Sequence, residues 1–303
     1  MKGMRVPQAW RDRAKIWREK MSASVKLFMK NKAGVLGLCI TMTFVIMAIF
    51  APYIAPYDPY KIVDHYLLPP SSKHLLGTND IGQDILSELI YGARVSLLIG
   101  VLASISVVSV GTIIGIVSGY YGGMIDEILM RICDIILVLP GLPLMILLAS
   151  LLGTGKFYVL IIAITLNAWP GLARLVRSAV LSLRERAFVE AARAIGASDA
   201  HIMITHILPN VMPFIVSAAV YRAAAAMMAE ASLSFLGLGD PSHKSWGMML
   251  HYAHTAGGWW ANYGKPCWWW IIPPGLCIAL FVSGLMLMGQ AIEEIVNPRL
   301  RRR

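Results

Sequence analysis

The amino-acid sequence predicts an all-α membrane protein with six transmembrane helices. The chain has 303 residues, of which 57% are hydrophobic and only 15% are charged, which is too apolar for a water-soluble domain of this length. The hydrophobic residues are gathered in runs of about 20, the length that an α-helix needs to cross roughly 30 Å of hydrocarbon. Basic residues are concentrated in alternate connecting segments, as expected for a chain that crosses a membrane repeatedly.

Six apolar runs define the predicted helices. They lie at about 33–55, 94–120, 126–152, 157–174, 211–235 and 269–290. The second, fourth and sixth runs are uninterrupted, whereas the third begins with polar side chains and the fifth contains Arg222 and Glu230. Pro140 and Pro143 predict a kink in the third helix, because proline removes a backbone donor and crowds the preceding turn.

Three glycines are spaced four residues apart on the second predicted helix: Gly111, Gly115 and Gly119. We call them the glycine ridge. Small residues at this spacing share one helix face and allow another helix to approach closely within a membrane. The ridge therefore predicts a tight helix–helix contact.

The lysine and arginine residues predict the orientation of the chain. Segments 1–32, 174–210 and 291–303 contain 19 of them, and the alternate segments 56–93, 153–156 and 236–268 contain 5. Because cytoplasmic loops are enriched in basic residues, we expect both termini in the cytoplasm. The net charge of +10 is explained by this asymmetry, so we expect a lipid bilayer and no nucleic acid as partner.

The sequence contains no motif for nucleotide hydrolysis. The nearest approach to a phosphate-binding loop, residues 150–157, lacks the first glycine and the hydroxyl residue after its lysine, and it lies at a predicted outer turn. The four cysteines have no metal-binding spacing. His251 and His254 could share a helix face and suggest a divalent metal, but we expect ordinary loop histidines. We predict a non-catalytic chain that binds no metal or cofactor.

The longest inner segment contains a short helix followed by a sharp stop. Alanine-rich residues beginning at Glu190 predict the helix, and Gly196 is a good left-handed end for it. Ala191 and Ala192 are small, so a partner protein could close around this helix. An amphipathic surface helix without a partner remains the alternative.

A second short helix is predicted directly after this stop. Ser198 can cap its first turn, and the helix would run to Leu208. Pro209 and Pro213 are expected to mark the turn into the fifth membrane helix. The pattern indicates a helical pair attached to a membrane helix, which could transmit a push.

The chain resembles the permeases of binding-protein-dependent ABC importers. The run Glu190-Ala191-Ala192, then Gly196 and Ile207-Leu208-Pro209, is similar to the EAA loop of this family. Residues 75–84 and 91–97 resemble the motif before the second helix in C-type permease subunits of dipeptide, oligopeptide and nickel importers. Further similar stretches lie at 119–123, 234–239, 246–250 and 297–299, and the likeness covers about residues 30–300.

The resemblance implies a type I ABC importer transmembrane domain with a cytoplasmic EAA coupling helix. It implies four kinds of partner interaction: with a homologous permease, with two ATPase subunits that carry ATP and Mg, with an extracytoplasmic solute-binding protein, and with the prokaryotic cell membrane. The matching ATPase-coupling positions are Glu190, Ala191, Ala192, Gly196 and Ser198. The outer-loop motif comprises Gly77, Thr78, Asp80, Gly82 and Asp84.

The chain is accordingly divided into four segments. These are a basic cytoplasmic segment at 1–32, the first membrane helix and outer loop at 33–93, the permease transmembrane domain at 94–290 and a cytoplasmic tail at 291–303. This division is an expectation that combines the apolar runs with the resemblance.

Two residues depart from the family pattern. Gln83 stands where arginine is usual, so any ion pair made there would be lost. Arg222 stands where a small or apolar residue is usual, and an ionisable group at membrane depth should face the bundle or a wet cavity. We therefore consider Arg222 and Glu230 as candidate pathway residues, with pairing of Arg222 to Glu230 or Asp134 as the alternative.

The substrate remains open within this family. Peptides are the expected cargo, and nickel, glutathione and oligosaccharides are alternatives. A self-sufficient secondary transporter is the alternative from another class, but it would favour internal repeats and would leave the EAA-like loop unexplained.

Overall fold

The computed structural model describes residues 22, 25–257 and 266–296. These residues form helices and loops, and within them the only β-type pairing is one isolated bridge between Thr78 and Asp84. The helices are α1 Lys32–Ile49, α2 Ala51–Ile54, α3 Ile85–Tyr121, α4 Gly123–Val138, α5 Gly141–Leu152, α6 Phe157–Arg184, α7 Ala187–Ala194, α8 Asp199–Ile202, α9 Leu208–Phe235, α10 Trp246–Thr255 and α11 Trp268–Val296. A π-helical turn, Met203–Ile207, joins α8 to α9.

The predicted all-α membrane fold is confirmed. Five helical stretches in the described residues are long and apolar enough to cross a membrane, and α4 with α5 supplies a sixth crossing if the bent pair is one span. Most of the basic segment 1–32, part of the cytoplasmic tail and the motif at 297–299 lie outside the described residues.

The helix predicted as the third crossing is broken, not merely kinked. The axes of α4 and α5 differ by 98°. Leu139 and Pro140 adopt extended backbone angles between them. Pro140 cannot donate a backbone hydrogen bond, so the helix ends before it and restarts at Gly141.

Three other helix boundaries differ from the sequence-based expectation. Asp84 accepts a hydrogen bond from the Ser87 amide at 2.9 Å and so starts α3 nine residues before the predicted boundary at 94. Helix α6 continues to Arg184, beyond the predicted end at 174. The helix also continues without a turn from Asp199 to Phe235.

The expectation of a turn at Pro209 and Pro213 was therefore wrong. Pro209 lies in the first turn of α9, directly after the π-helical turn, and Pro213 lies inside α9. A π turn widens the backbone locally and opens the regular hydrogen-bond ladder. This geometry accommodates the missing donor of Pro209, whereas Pro213 lies in the regular α-helix beyond the π turn.

The contact predicted by the glycine ridge is confirmed. The ridge faces α6, and hypothetical Cβ atoms at its three positions would lie 2.9 Å from Leu172 Cβ, 2.6 Å from the Ala173 carbonyl and 2.8 Å from Val180 Cβ. Since ordinary contacts of a Cβ are 3.4–4 Å, only glycine permits this separation of α3 and α6.

Aromatic side chains form part of the core where α1, α10 and α11 meet. Phe44 of α1 contacts Trp246 of α10 and Phe281 of α11 edge to face, with ring centroids 5.3 and 5.7 Å apart. The Trp246 indole donates a hydrogen bond to the Leu89 carbonyl at 2.9 Å. The short helix α10 is thereby fixed against the first, second and last membrane helices.

Candidate functional site

The coupling segment, residues 187–198, contains the helix and stop that the sequence indicates. Gly196 has a φ of +83°, and its amide donates to the Arg193 carbonyl at 3.0 Å. The next amide, of Ala197, donates to the Ala192 carbonyl at 3.1 Å. This pattern ends α7 with a left-handed residue, which explains why glycine stands there.

The next helix begins at the predicted cap. Ser198 Oγ accepts a hydrogen bond from the His201 amide at 3.4 Å, and α8 starts at Asp199. The first turn of α8 then continues through the π-helical turn into α9. The coupling segment is thus directly connected to a membrane helix.

Ala192 faces the opposite way from the sequence-based expectation. It is only 6% exposed and belongs to a core cluster with Val189, Ile202 and Ile207. Its small size is therefore required by the chain's own packing. Glu190 and Ala191, in contrast, are exposed, so these two of the predicted coupling positions are accessible on the surface of α7.

Polar contacts attach the coupling segment and the residues on either side of it to the C-terminal end of α3. Tyr120 donates a hydrogen bond from its hydroxyl to Asp199 at 2.6 Å. The Arg193 guanidinium lies over the Tyr120 ring, 5.8 Å from its centroid. Arg184 donates to the Gly119 carbonyl at 3.2 Å. Residues 119–123 resemble a family stretch, but this role of Tyr120 was not predictable from the sequence because its partners are distant along the chain.

The exposed face of the coupling segment carries large apolar side chains. Phe188 is 41% exposed and Ile195 is 86% exposed. Seven residues apart, they share one side of α7. An exposed apolar patch is suited to a protein contact.

Backbone geometry determines two positions of the outer-loop motif. Gly77 and Gly82 have φ values of +69° and +84°. A Cβ at either position would lie 2.2 Å from a carbonyl oxygen, that of Leu68 or Asp64 respectively. Both glycines therefore allow residues 62–84 to fold back closely on themselves.

The other three motif residues have different environments. Thr78 is buried, accepts from the Leu68 amide at 2.9 Å and donates to the His65 carbonyl at 2.7 Å. Asp84 is buried and lies 2.9 Å from His74 Nδ1. Asp80 is exposed. The motif is thus mainly a loop scaffold, and Asp80 is its one acidic side chain presented to the surface.

Gln83 takes part in a buried polar network. Its side-chain oxygen accepts hydrogen bonds from Asn79 at 2.9 Å and from Lys244, and its amide donates to the Tyr60 carbonyl at 3.0 Å. Lys244 also pairs with Glu88 at 2.5 Å. Gln83 itself makes no ion pair among the described residues, and the cation of this network comes from position 244.

Sequence reasoning missed Glu88 and Lys244. Glu88 is 2% exposed and lies in the first turn of α3, whereas Lys244 precedes α10. A carboxylate buried to this degree requires a cation or hydrogen-bond donors. No local pattern relates two residues that are so far apart in the chain.

A surface ion pair stabilises the start of the outer loop. Lys73 donates to Asp64 at 2.6 Å. This hydrogen bond, supported by the His65 amide, lowers the pKa of the Asp64 carboxyl from 3.8 to about 2, and the carboxylate in turn raises the pKa of Lys73.

The two candidate pathway residues lie in different environments. Glu230 is fully buried, accepts a hydrogen bond from Ser234 at 2.8 Å, and has Ser96 and Ser245 near its carboxyl group. It is enclosed by its own bundle. Arg222 is half-buried and lines a cavity of about 380 Å³ between α3, α4, α5, α6 and α9.

The alternative expectation that Arg222 pairs with an acid was wrong. Asp134 pairs with Arg174, and Glu230 is held by serines. Within the described residues, Arg222 has no hydrogen bond or ion pair. Side-chain pairing across helices depends on how the helices rotate, which the sequence did not reveal.

The outer histidines make local contacts. His251 Nδ1 lies 2.9 Å from the Phe235 carbonyl, and His243 Nδ1 lies 3.2 Å from Asp240. In the part of the chain that the structure describes, no three His, Cys, Asp or Glu residues are grouped as a metal would require.

Two family models match the chain. Residues 111–302 match the binding-protein-dependent transport system inner membrane component, and residues 22–70 match the N-terminal transmembrane domain of oligopeptide transport permease C. The first match alone covers more than half of the chain.

Relatives of known name match over almost the whole chain. The dipeptide transport system permease protein DppC of Bacillus subtilis is 36% identical over 90% of this chain and 84% of its own length. The oligopeptide transport system permease protein OppC of the same species is 37% identical over 95% and 91%. The glutathione transport system permease protein GsiD of Pectobacterium atrosepticum is 33% identical over 99% and 94%.

A solved structure supports the fold. A chain of the inward-facing MetNI methionine ABC transporter aligns with a TM-score of 0.53, covering 72% of this chain and 98% of that one at 21% identity. At this identity the match bears on the fold alone. Together with the EAA-like segment and the two family matches, it shows that the chain belongs to the non-catalytic membrane permeases of binding-protein-dependent ABC importers and, among them, to the C-type subunits.

Proposed function

We propose that this chain forms part of the translocation path of an ATP-driven importer for di- and oligopeptides. The observation that carries the proposal is the match to dipeptide and oligopeptide permeases over 90–95% of the chain. The relative named for glutathione supports glutathione, itself a small peptide, as the second candidate.

The proposed importer is heteromeric. A homologous permease pairs with this chain, two ATPase subunits bind ATP and Mg on the cytoplasmic side, and an extracytoplasmic binding protein delivers the solute. The absence of a phosphate-binding loop in the sequence and the exposed coupling segment support this division of labour. The basic residues support an orientation with both termini in the prokaryotic cytoplasm.

The coupling segment is proposed to transmit ATPase movement to the membrane helices. Glu190 and Ala191 form the exposed contact, and the glutamate carboxylate suits a cationic partner residue. Gly196 and Ser198 fix the direction of the following helix. Because the helix continues unbroken from Asp199 to Phe235, a displacement of its inner end moves the membrane-spanning part as well. Two-state switching then follows if ATP-bound and ATP-free subunits bind the two permease conformations with different affinity.

Uptake by the reconstituted complex tests the substrate class. Proteoliposomes that contain both permeases, both ATPases and the binding protein should accumulate a labelled dipeptide only when ATP is inside with the ATPases. Unlabelled tripeptide should compete. Accumulation of nickel or an oligosaccharide with no peptide uptake would contradict the proposal.

A matched pair of variants tests the coupling surface. Ala191→Trp should leave the thermal stability of the isolated chain unchanged but weaken its association with the ATPase. The exposed indole would not fit a partner groove shaped for alanine, and the clash should cost about 1–3 kcal/mol of binding free energy. Ala192→Trp should instead destabilise the chain itself, since Ala192 is buried. Wild-type association and uptake by Ala191→Trp would contradict the proposed contact.

Thiol labelling tests the orientation. On a background without native cysteines, an impermeant reagent added outside should label Ile81→Cys, which is 50% exposed in the outer loop. Ala194→Cys, exposed on α7, should be labelled only after the membrane is opened. The reverse result would invert the topology.

A further inference from the structure

The membrane cavity lined by Arg222 is almost entirely apolar. Among its lining residues only Arg222 and Asn167 carry polar side chains, and the remainder are aliphatic, methionine or glycine. The break between α4 and α5 forms one wall, with Leu139 and Gly141 among the lining residues. Its volume of about 380 Å³ falls within the range of about 300–1,000 Å³ that is usual for small-molecule sites.

Space for the arginine is built into the facing helix. Gly171 of α6 has no side chain, and a Cβ there would lie only 2.9 Å from Arg222 Nη2. Asn167, one turn before Gly171 on α6, is similarly close to Gly141 of α5, where its Nδ2 would lie 3.2 Å from a Cβ. The two polar groups are therefore placed where helix backbones leave room for them.

The guanidinium lacks an anion in this cavity. In the described part of the chain nothing pairs with Arg222, although Asp134 and Glu230 are used elsewhere. An unpaired cation at membrane depth is costly, and a buried charge normally requires a partner. The missing partner is thus expected to come from outside this chain.

We propose that Arg222 binds the C-terminal carboxylate of a transported peptide inside the membrane domain, with Asn167 contacting the adjacent peptide amide. This rests on the proposed function. A guanidinium is suited to a carboxylate because it can donate two parallel hydrogen bonds to its two oxygens. The apolar lining accepts varied side chains, whereas every unmodified peptide has the carboxylate, so the site recognises peptides without selecting their sequence.

Uptake of one peptide in two chemical forms tests the proposal. In proteoliposomes with the complete transporter and saturated binding protein, Arg222→Gln should lower uptake of the free-acid peptide about tenfold. It should change uptake of the same peptide with a C-terminal amide less than twofold. Arg222→Lys should partly restore the free-acid rate, since it keeps the charge. Arg131→Gln, an exposed arginine on α4 outside this cavity, is the matched control and should change neither rate.

Thiol labelling supplies a second measurement, which does not require the C-terminally amidated peptide to be transported. Ala225 also lines the cavity and is exposed to it. On a cysteine-free complex, Ala225→Cys should react faster with an anionic thiol reagent than with a cationic one of the same size. Added Arg222→Gln should remove that preference, and the free-acid peptide should protect the cysteine during turnover.

Each outcome decides between explanations. Equal loss of uptake for both peptide forms, or no loss for either, would overturn the carboxylate site. An effect that disappears when anionic lipids are left out of the liposomes would show that the arginine binds the headgroup of an anionic lipid and would also overturn it. Failure of the wild-type complex to take up any peptide would overturn the proposed function instead. The preference of Ala225→Cys for the anionic reagent would then show only that Arg222 attracts anions into the cavity.

Discussion

Gly115 in the glycine ridge should tolerate no added carbon atom. A Cβ at this position would lie 2.6 Å from the Ala173 carbonyl and 2.7 Å from Val176 Cβ, against ordinary contacts of 3.4–4 Å. Both obstacles belong to α6, and one of them is backbone, so a rotamer change cannot relieve the clash. The two helices must separate by about an ångström. At that separation the facing atoms of α3 and α6 lose a quarter to a half of their dispersion attraction.

A matched glycine isolates this effect. Gly275 of α11 has no heavy atom within 4 Å of a hypothetical Cβ. Alanine in place of either helical glycine should gain about 1 kcal/mol of helix propensity, so the difference between the two variants reports the overpacking alone. We expect Gly115→Ala to be less stable than Gly275→Ala by about 1–3 kcal/mol.

Thermal unfolding in one detergent measures the difference. A thiol-reactive dye should report unfolding through Cys133 and Cys267, which are buried. Since 1 kcal/mol corresponds to about 2–4 °C in domains of 150–250 residues, Gly115→Ala should unfold several degrees below Gly275→Ala. Equal midpoints would show that α3 and α6 separate without cost, and the reasoning from close packing would be refuted.

Three further predictions concern the loops. Lys244→Met should destabilise the chain by about 3–5 kcal/mol by leaving the buried Glu88 carboxylate unpaired. The double variant with Glu88→Gln should recover much of the lost unfolding temperature. If it does not, the pairing of Lys244 with Glu88 is contradicted. Because the folded pKa of Asp64 is lowered to about 2, the stability from its pair should be present above pH 4 and lost between about pH 4 and pH 2. Lys73→Met should make the unfolding midpoint depend less steeply on pH between pH 4 and pH 2. An unchanged pH dependence would contradict the stabilising role of the Lys73–Asp64 pair. Tyr120→Phe should lower the free energy of unfolding by about 0.5–1.5 kcal/mol and increase protease cleavage within the coupling segment. Unchanged stability and cleavage would show that the hydroxyl contact with Asp199 does not hold the segment in place.

Local chemistry made parts of this structure predictable from the sequence. Gly196 requires only its own backbone angle to end α7, and the glycine ridge requires only its spacing. The apolar runs that became α3, α6 and α11 were equally evident. These features depend on interactions within a few residues, or on the bilayer itself.

Features that depend on tertiary packing were missed. Ala192 is buried because of the rotation of a short helix against the bundle, which its sequence neighbours do not specify. Lys244 reaches Glu88 across 156 positions of the chain. The turn expected at Pro209 did not form because the π-helical turn directly before it accommodates this proline.

The break between α4 and α5 has a consequence for how the chain is inserted into the membrane during synthesis. Helix α4 has 16 residues and α5 has 12, so at 1.5 Å per residue they are about 24 and 18 Å long, and neither spans roughly 30 Å of hydrocarbon. Neither half can therefore partition into lipid as an independent unit. Since α4 packs against α3 and α6, and α5 packs against α6, we expect the pair to become stably inserted only once α6 has been synthesised.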